Sequence, residues 1–269
     1  MSGKVYLVGA GPGDPELLTL KALRLIKSAG VVLHDDLVPP EILKLISPTA
    51  DVRNVGKRSG SKSIRQEEIN FLMVTLAAAG QQVVRLKSGD PLIFGRAGEE
   101  IEALRQANVE YEIVPGVTSA LGAAAAAGIP LTHRSTSSAL VLLAGHRAFD
   151  SDDEDWHRFA ASESTLAVYM PGSAYGEISV KLKTAGFAGD TPCAIISRAT
   201  TPDQKIHRTT ISNLPRSPRL AAPTLLVVGE VVGLVDHSMV EEAAAFFEVG
   251  DASVGLLVGT SRQESEPAL

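Results

Sequence analysis

Two adjacent carboxylates, Asp35 and Asp36, close a β-branched run, Val31-Val32-Leu33. An aspartate at the end of such a strand projects into the cleft above a sheet, where partial burial would tune it as a general base. The plain alternative is turn chemistry ahead of Pro39-Pro40. Three glycine-bearing loops stand beside this pair: Gly9–Asp14 (GAGPGD), Gly56–Ser63 (GKRSGSKS) and Ser88-Gly89-Asp90-Pro91. The first resembles a dinucleotide loop but carries Asp14 where the third glycine should be, so a nicotinamide oxidoreductase is the weaker alternative. The second is basic and could cradle an anion, though it lacks Walker spacing. A solvated loop explains it equally well. His133-Arg134 and His146-Arg147 add two cationic pairs at segment ends, and each arginine could grip a carboxylate through two hydrogen bonds. Met170 ends an apolar run, where it serves packing or meets a ligand ring through its thioether.

The elements that must position these loops follow from apolar periodicity. Short strands are expected at Val5–Val8, Val31–Leu33, Val52–Val55, Val83–Leu86 and Tyr111–Val114. Helices fall between them. Asp14 and Pro15 open one, with Leu18, Ala22, Leu25 and Ile26 on one face. Ser63 opens the next as a capping box with Gln66, and Ile69, Leu72, Met73 and Leu76 form its stripe. Ala97, Ile101 and Leu104 stripe a third. Alternating strands and helices with short connections predict a largely parallel sheet covered on both faces. Ligands of such sheets bind outside the carboxyl ends of the strands, where these loops lie. Pro115-Gly116 marks a boundary. Beyond it come a helix of small residues over Thr118–Ala127 and strands at Leu140–Leu143, Leu166–Met170 and Ala194–Ser197. Later strands near Lys205–Thr209 and Leu225–Val228 are candidates for antiparallel pairing. The expected domains are 1–115 and 116–249, each α/β, with a disordered polar tail over 250–269.

The chain has 269 residues, 45% of them hydrophobic, enough for one large or two medium domains. A net charge of -6 disfavours nucleic acid but leaves local cations free to hold an acidic small molecule. Its one cysteine, Cys193, excludes a disulfide framework and suits core packing. No residue spacing suits a metal. The longest stretch of low polarity, Val117–Leu131, is broken by Gly122, Gly128 and Pro130 and is too short for a bilayer. No signal peptide is visible, and a soluble cytoplasmic protein is expected.

The order of the pieces is more specific than any one of them. VYLVGAGPGDPELLTLKAL, VVLHDDLV, VGKRSG, VVRLKSGDPLIFGRAGEE and VPGVTSALGAAAAAGIPLTHR together resemble the tetrapyrrole methylase family over roughly residues 3–235. VGKR-x-G with RLK-x-GDP-x-x-FGR points to the branch that methylates uroporphyrinogen III at two ring carbons. The resemblance implies a two-domain tetrapyrrole methylase fold with S-adenosylmethionine in the inter-domain cleft and no metal. It also implies a homodimer, precorrin-2 as product via precorrin-1, and a place in sirohaem or cobalamin biosynthesis. A later precorrin is the alternative substrate. Cofactor contacts carry over to Pro12, Ser88, Gly89, Asp90, Ile93, Thr118, Ser119, Met170 and Ala199. Asp35 matches the proton acceptor and Lys57 the proton donor. Candidates for holding the polycarboxylate substrate are Lys57, Arg58, Lys62, Arg96, His133, Arg134 and Arg147. Four positions depart from the family pattern: Ser88 and Ala97 replace glycines, and His34 and Asp36 flank Asp35 where an aromatic residue and an arginine are usual. No dehydrogenase–chelatase segment precedes the methylase motifs, so completion of sirohaem by this chain alone is not expected.

Overall fold

The structure, a computed structural model, describes residues 3–56, 64–145 and 163–234. The first sheet is entirely parallel, in the order β3-β2-β4-β1-β5. Its strands are β1 (Lys4–Gly9), β2 (Val31–His34), β3 (Asp51–Asn54), β4 (Gln82–Lys87) and β5 (Glu110–Val114). The chain leaves β1 across β4 to reach β2, and later leaves β4 across β1 to reach β5. Neighbouring strands β1 and β4 therefore send their following loops to opposite sides, which opens a crevice at their carboxyl ends. Edge strand β3 is exposed and carries the Asp51–Arg53 ion pair, which discourages pairing with another edge.

Pleating splits the side chains of this sheet between two layers. Val8, Val32, Val84 and Leu86 face α1 (Leu20–Ser28) and the short α2 (Pro40–Leu43), where Ala22, Ile26 and Ile42 are buried. Val5, Leu7, Val31, Leu33 and Val83 face α3 (Gln66–Ala78) and α4 (Ala97–Gln106), burying Ile69, Met73, Ala77 and Leu104. Full burial of each such aliphatic side chain stabilises by about 1.5–3 kcal/mol.

The second sheet runs β6-β7-β10-β8-β9. It comprises β6 (Ala139–Ala144), β7 (Ser164–Tyr169), β8 (Pro192–Ser197), β9 (Lys205–Thr210) and β10 (Thr224–Val228). Only β6 and β7 are parallel; β10 pairs antiparallel with β7 and β8, and β9 antiparallel with β8, as the late strands suggested. Helix α5 (Ser119–Ala126) covers one face through Ala120 and Ala123, and α6 (Tyr175–Thr184) covers the other through Tyr175, Ile178 and Leu182. Cys193 is fully buried in the α6 layer, and burial pushes its thiol well up. Both sheets belong to one compact unit, Met1–Val235.

Several local expectations are corrected. The helix opened by Asp14 is only a 3-10 turn, Pro15–Leu17, in which the Asp14 carboxylate accepts from Glu16 N at 2.8 Å. Leu18 is extended, and α1 starts afresh because the Thr19 hydroxyl caps Ala22 N at 3.1 Å. At α3 the cap is Arg65, whose N–H donates to Glu68 at 2.9 Å, whereas Ser63 lies outside the described residues. Strand β7 stops at Tyr169; Met170 turns with φ 52°. The tail over 250–269 also lies outside the described residues.

Candidate active site

Three backbone segments cross where β1, β4 and β5 end. Gly11 and Gly89 exchange hydrogen bonds at 3.1 and 2.7 Å. A Cβ on Gly116 would stand 2.3 Å from the Gly89 carbonyl oxygen and 2.9 Å from Gly9 Cα. One on Gly9 would stand 2.6 Å from Gly116 N. Only glycine permits this approach, and Gly89 also needs its φ of +67°. Asp90 locks the crossing: Oδ1 accepts from Leu92 N at 2.8 Å and Oδ2 from Gly116 N at 3.0 Å. Asp90, expected as a cofactor contact, thus holds its own loop in shape, and it also borders the cleft.

Above the crossing lies a cleft of about 850 Å³, its open mouth included. All nine residues carried over as cofactor contacts border it. Pro12 comes from the loop after β1; Ser88, Gly89, Asp90 and Ile93 come from the loop after β4. Thr118 and Ser119 open α5, Met170 follows β7, and Ala199 follows β8. Asp35, at the end of β2, borders the same space. The two halves of the wall are tied together. Asp14 N donates to Thr200 Oγ1 at 3.1 Å, and Pro12 packs onto Gly122 of α5, where a Cβ would meet it at 2.5 Å.

Sequence reasoning missed the aromatic part of the wall. Tyr169 accepts from Ala120 N at 3.1 Å and shares a 2.6 Å hydrogen bond with Thr118 Oγ1, anchoring the start of α5. Burial raises its phenol above the ordinary value. Phe94 packs on its ring at 4.9 Å and 59°, and Leu37 borders the mouth. Backbone strain concentrates here as well. Among the described residues seven non-glycines have positive φ; Phe94 and Met170 line the cleft, and Arg96, Arg198 and Thr200 each adjoin a lining residue. Such strain costs about 1–3 kcal/mol per residue and gathers at functional sites.

Beneath Asp35 lies a charged array that the sequence reading also missed. Arg85 and Lys87, each 2% exposed, project from β4 toward α4, where Glu100 is fully buried. Glu100 Oε1 accepts from Arg85 Nε and Lys87 Nζ, both at 3.0 Å, and from Gln66 Nε2 at 3.3 Å. The far end of Arg85 donates to Asp35 Oδ1. Burial opposes the Arg85 charge, yet the Asp35 and Glu100 carboxylates outweigh it and hold the guanidinium above its ordinary value. Burial, then repulsion by Arg85, pulls the Lys87 ammonium below its own. The carboxylates next to each other in sequence part company: Asp36 Oδ1 takes Asn54 Nδ2 at 3.1 Å. His34 is buried with Nδ1 3.0 Å from the Asp35 carbonyl.

The expected substrate cations are not gathered in this space. Arg96 grips Glu99 through two bonds of 2.8 and 2.7 Å and does not border the cleft. His133 and Arg134 are exposed on a turn in which His133 and Ser137 pair. Lys57, Arg58, Lys62, His146 and Arg147 lie outside the described residues. Among the described residues no three His, Cys, Asp or Glu side chains stand close enough to hold a metal, and no helix is long and apolar enough to cross a membrane.

Comparison with known proteins adds three findings. The family model for tetrapyrrole (corrin/porphyrin) methylases matches residues 4–215. Siroheme synthase 1 of Yersinia enterocolitica is 51% identical over 233 residues, and the siroheme synthase of Hahella chejuensis is 46% identical over 239. These matches cover 86% and 88% of this chain but 49% and 51% of the relatives, so the chain spans about half their length. Among solved structures, a uroporphyrin-III C-methyltransferase from Thermus thermophilus complexed with S-adenosylhomocysteine aligns with a TM-score of 0.75 at 40% identity. That match covers 87% of this chain and 100% of that one. A cobalt precorrin-4 methyltransferase aligns at 0.76 and 33% identity, covering 85% and 95%.

Proposed function

Because the chain belongs to the tetrapyrrole (corrin/porphyrin) methylases, we propose that it is an S-adenosylmethionine-dependent methyltransferase acting on carbons of uroporphyrinogen III. The observation that carries this reading is the meeting of Asp35 with all nine expected cofactor contacts around one cleft. The residues fit the methyl donor. The glycine crossing brings bare backbone to the cleft floor, and Ile93, Ala123, Met170 and Leu225 give apolar walls.

When bound, S-adenosylmethionine supplies a methyl group on a cationic sulfur, already activated for attack by an electron-rich pyrrole carbon. The protein then has chiefly to align the partners. The loops after β1, β4 and β8 would grip the donor. Leu37 and Phe94 at the mouth would exclude water. Attack on the methyl group leaves a cationic ring that must lose a pyrrolic or meso proton, and Asp35, which borders the cleft, is proposed as the carboxylate that takes it. Lys57 is proposed as proton donor or as a grip on a substrate carboxylate. Arg58, Arg96, His133, Arg134 and Arg147 are proposed as further grips; Arg96 would first have to release Glu99.

Incubation with S-adenosylmethionine and uroporphyrinogen III, followed by mass analysis, should find two added methyl groups, giving precorrin-2 via precorrin-1. Asp35→Asn should lower kcat by about 10²–10⁴-fold. Nearly full turnover by that variant at saturating substrate would remove Asp35 as the base. The likeness to the cobalt precorrin-4 methyltransferase supports a second reading, a later corrinoid substrate. Methylation of a later precorrin with none of uroporphyrinogen III would select it.

A further inference from the structure

Asp35 is the one member of a four-charge array that reaches the cleft. Its side chain is 29% exposed, against 2% for Arg85 and none for Glu100. Pleating puts Arg85 and Lys87, two residues apart on β4, on the same face of the sheet, the face that α3 and α4 cover. Arg85 has no slack. Nε donates to Glu100 at 3.0 Å, Nη1 to the carbonyls of Leu33 at 3.4 Å and Leu86 at 3.3 Å, and Nη2 to Asp35 Oδ1. Lys87 supplies the second cation on Glu100, so two anions face two cations. The backbone of Asp35 is held too, its N–H donating to Leu86 O at 3.1 Å. Among the described residues the side-chain hydrogen bonds of Asp35 engage Oδ1 alone.

Stability does not call for this arrangement. Taking charges out of water costs several kcal/mol per ion, and apolar residues of similar volume often serve as well or better. What the array provides is a carboxylate with one oxygen clamped by a guanidinium that cannot rotate, and the other oxygen left for the cleft. A proton acceptor held in this way needs no reorganisation when substrate arrives.

We propose that Arg85, locked from below by Glu100 and Lys87, is the positioning residue for Asp35, holding Oδ1 so that Oδ2 meets the substrate proton. The proposal rests on Asp35 being the base. It concerns a residue that touches neither substrate nor cofactor.

The test is a double-mutant cycle between Asp35→Asn and Arg85→Met. Steady-state kcat and KM are measured with S-adenosylmethionine and uroporphyrinogen III, and S-adenosylhomocysteine affinity is measured by calorimetry on the same preparations. Arg85→Met should lower kcat by about 10²-fold, the scale of a misplaced catalytic group, with KM and S-adenosylhomocysteine affinity within about threefold of the parent. In the D35N background the same change should cost nothing further. Arg85→Lys, which keeps the charge but lacks the fork, should recover part of kcat; it also replaces Arg85→Met in the cycle if that variant does not fold. An equal loss from the Arg85 change in both backgrounds would overturn the positioning role and leave Asp35 as base. Near-parental turnover by Asp35→Asn alone would remove the base, and the positioning role with it.

Discussion

Glu100→Gln isolates what the buried array costs and what holds it together. The change is nearly isosteric and keeps a carbonyl oxygen for Arg85, Lys87 and Gln66, but it removes one of two anions. Two cations, each 2% exposed, then face Asp35 alone. No solvent reaches Glu100, so the penalty is that of a broken buried pair, about 3–5 kcal/mol at pH 7. For a chain of this size that corresponds to a fall in Tm of about 6–20 °C. The penalty should also depend on pH in a defined direction. Lys87 lies below its ordinary 10.5 in the folded protein, because burial and then Arg85 oppose its charge while Glu100 supports it. Its contribution to stability is therefore fully present above 10.5 and is lost as pH falls through the folded-state value. Without Glu100 that value drops further, so the loss continues to lower pH. Urea unfolding followed by circular dichroism should find a smaller gap between parent and variant at pH 10 than at pH 7. The double variant E100Q/K87M should be more stable than E100Q at pH 7, since one cation then faces one anion. A penalty below about 1 kcal/mol at pH 7, or one that does not change between pH 7 and pH 10, would refute the charge argument.

Gly116→Ala should destabilise by about 1–3 kcal/mol and weaken S-adenosylhomocysteine binding more than tenfold. Its Cβ would press on the backbone of Gly89 and Gly9, which cannot rotate away. Calorimetric affinity equal to the parent's would show that the crossing does not shape the cleft. Tyr169→Phe removes the hydroxyl that both Thr118 Oγ1 and Ala120 N use. Leaving those groups unpaired should cost about 1–3 kcal/mol in thermal unfolding, and the freed start of α5 should raise the Kd for S-adenosylhomocysteine. An unchanged Kd would mean that α5 is placed by its alanine packing alone.

How much of this was legible in the sequence depended on whether local chemistry or tertiary contact set the outcome. The ten strands among the described residues were readable because most are apolar or β-branched runs between turn residues, exposed β3 being the weakest signal, and the parallel pairing in the first half followed from the helices between them. Helix α6 was not anticipated. Its buried residues, Tyr175, Ile178, Ser179 and Leu182, do recur at helical spacing, but a buried serine and an exposed Val180 blur the stripe. The Ser179 hydroxyl is tolerated there only because Ile211 O, far along the chain, accepts it at 2.6 Å. The break at Leu18 was hidden for a similar reason: Asp14 and Thr19 are both competent caps, and only packing decides which one starts the longer helix. Glycine loops announced themselves, since turns and close approach demand glycine whatever surrounds them. Tyr169, Phe94 and Leu37 did not, because an aromatic at the end of a strand, or an aromatic or leucine in a loop, reads as packing until the opposite wall is known.

The array beneath Asp35 was nonetheless written in β4. A central strand of a parallel sheet is buried on both faces and should be apolar throughout. Gln82–Lys87 instead places cations at Arg85 and Lys87, two residues apart and so on one face. Two cations inside such a strand must find anions on the helix that covers them, and GEE at the start of α4 offers Glu99 and Glu100. Glu99 faces outward to Arg96, while Glu100 is sealed against the sheet. Their alternation along one helical turn assigns one carboxylate to the surface and the other to the strand. The signal was thus not a motif but a violation of patterning. A violation of this kind in a central, buried strand, directly below the cleft, is where a fold gives up apolar packing for a function. Here that function is to hold one carboxylate still at the edge of the cleft.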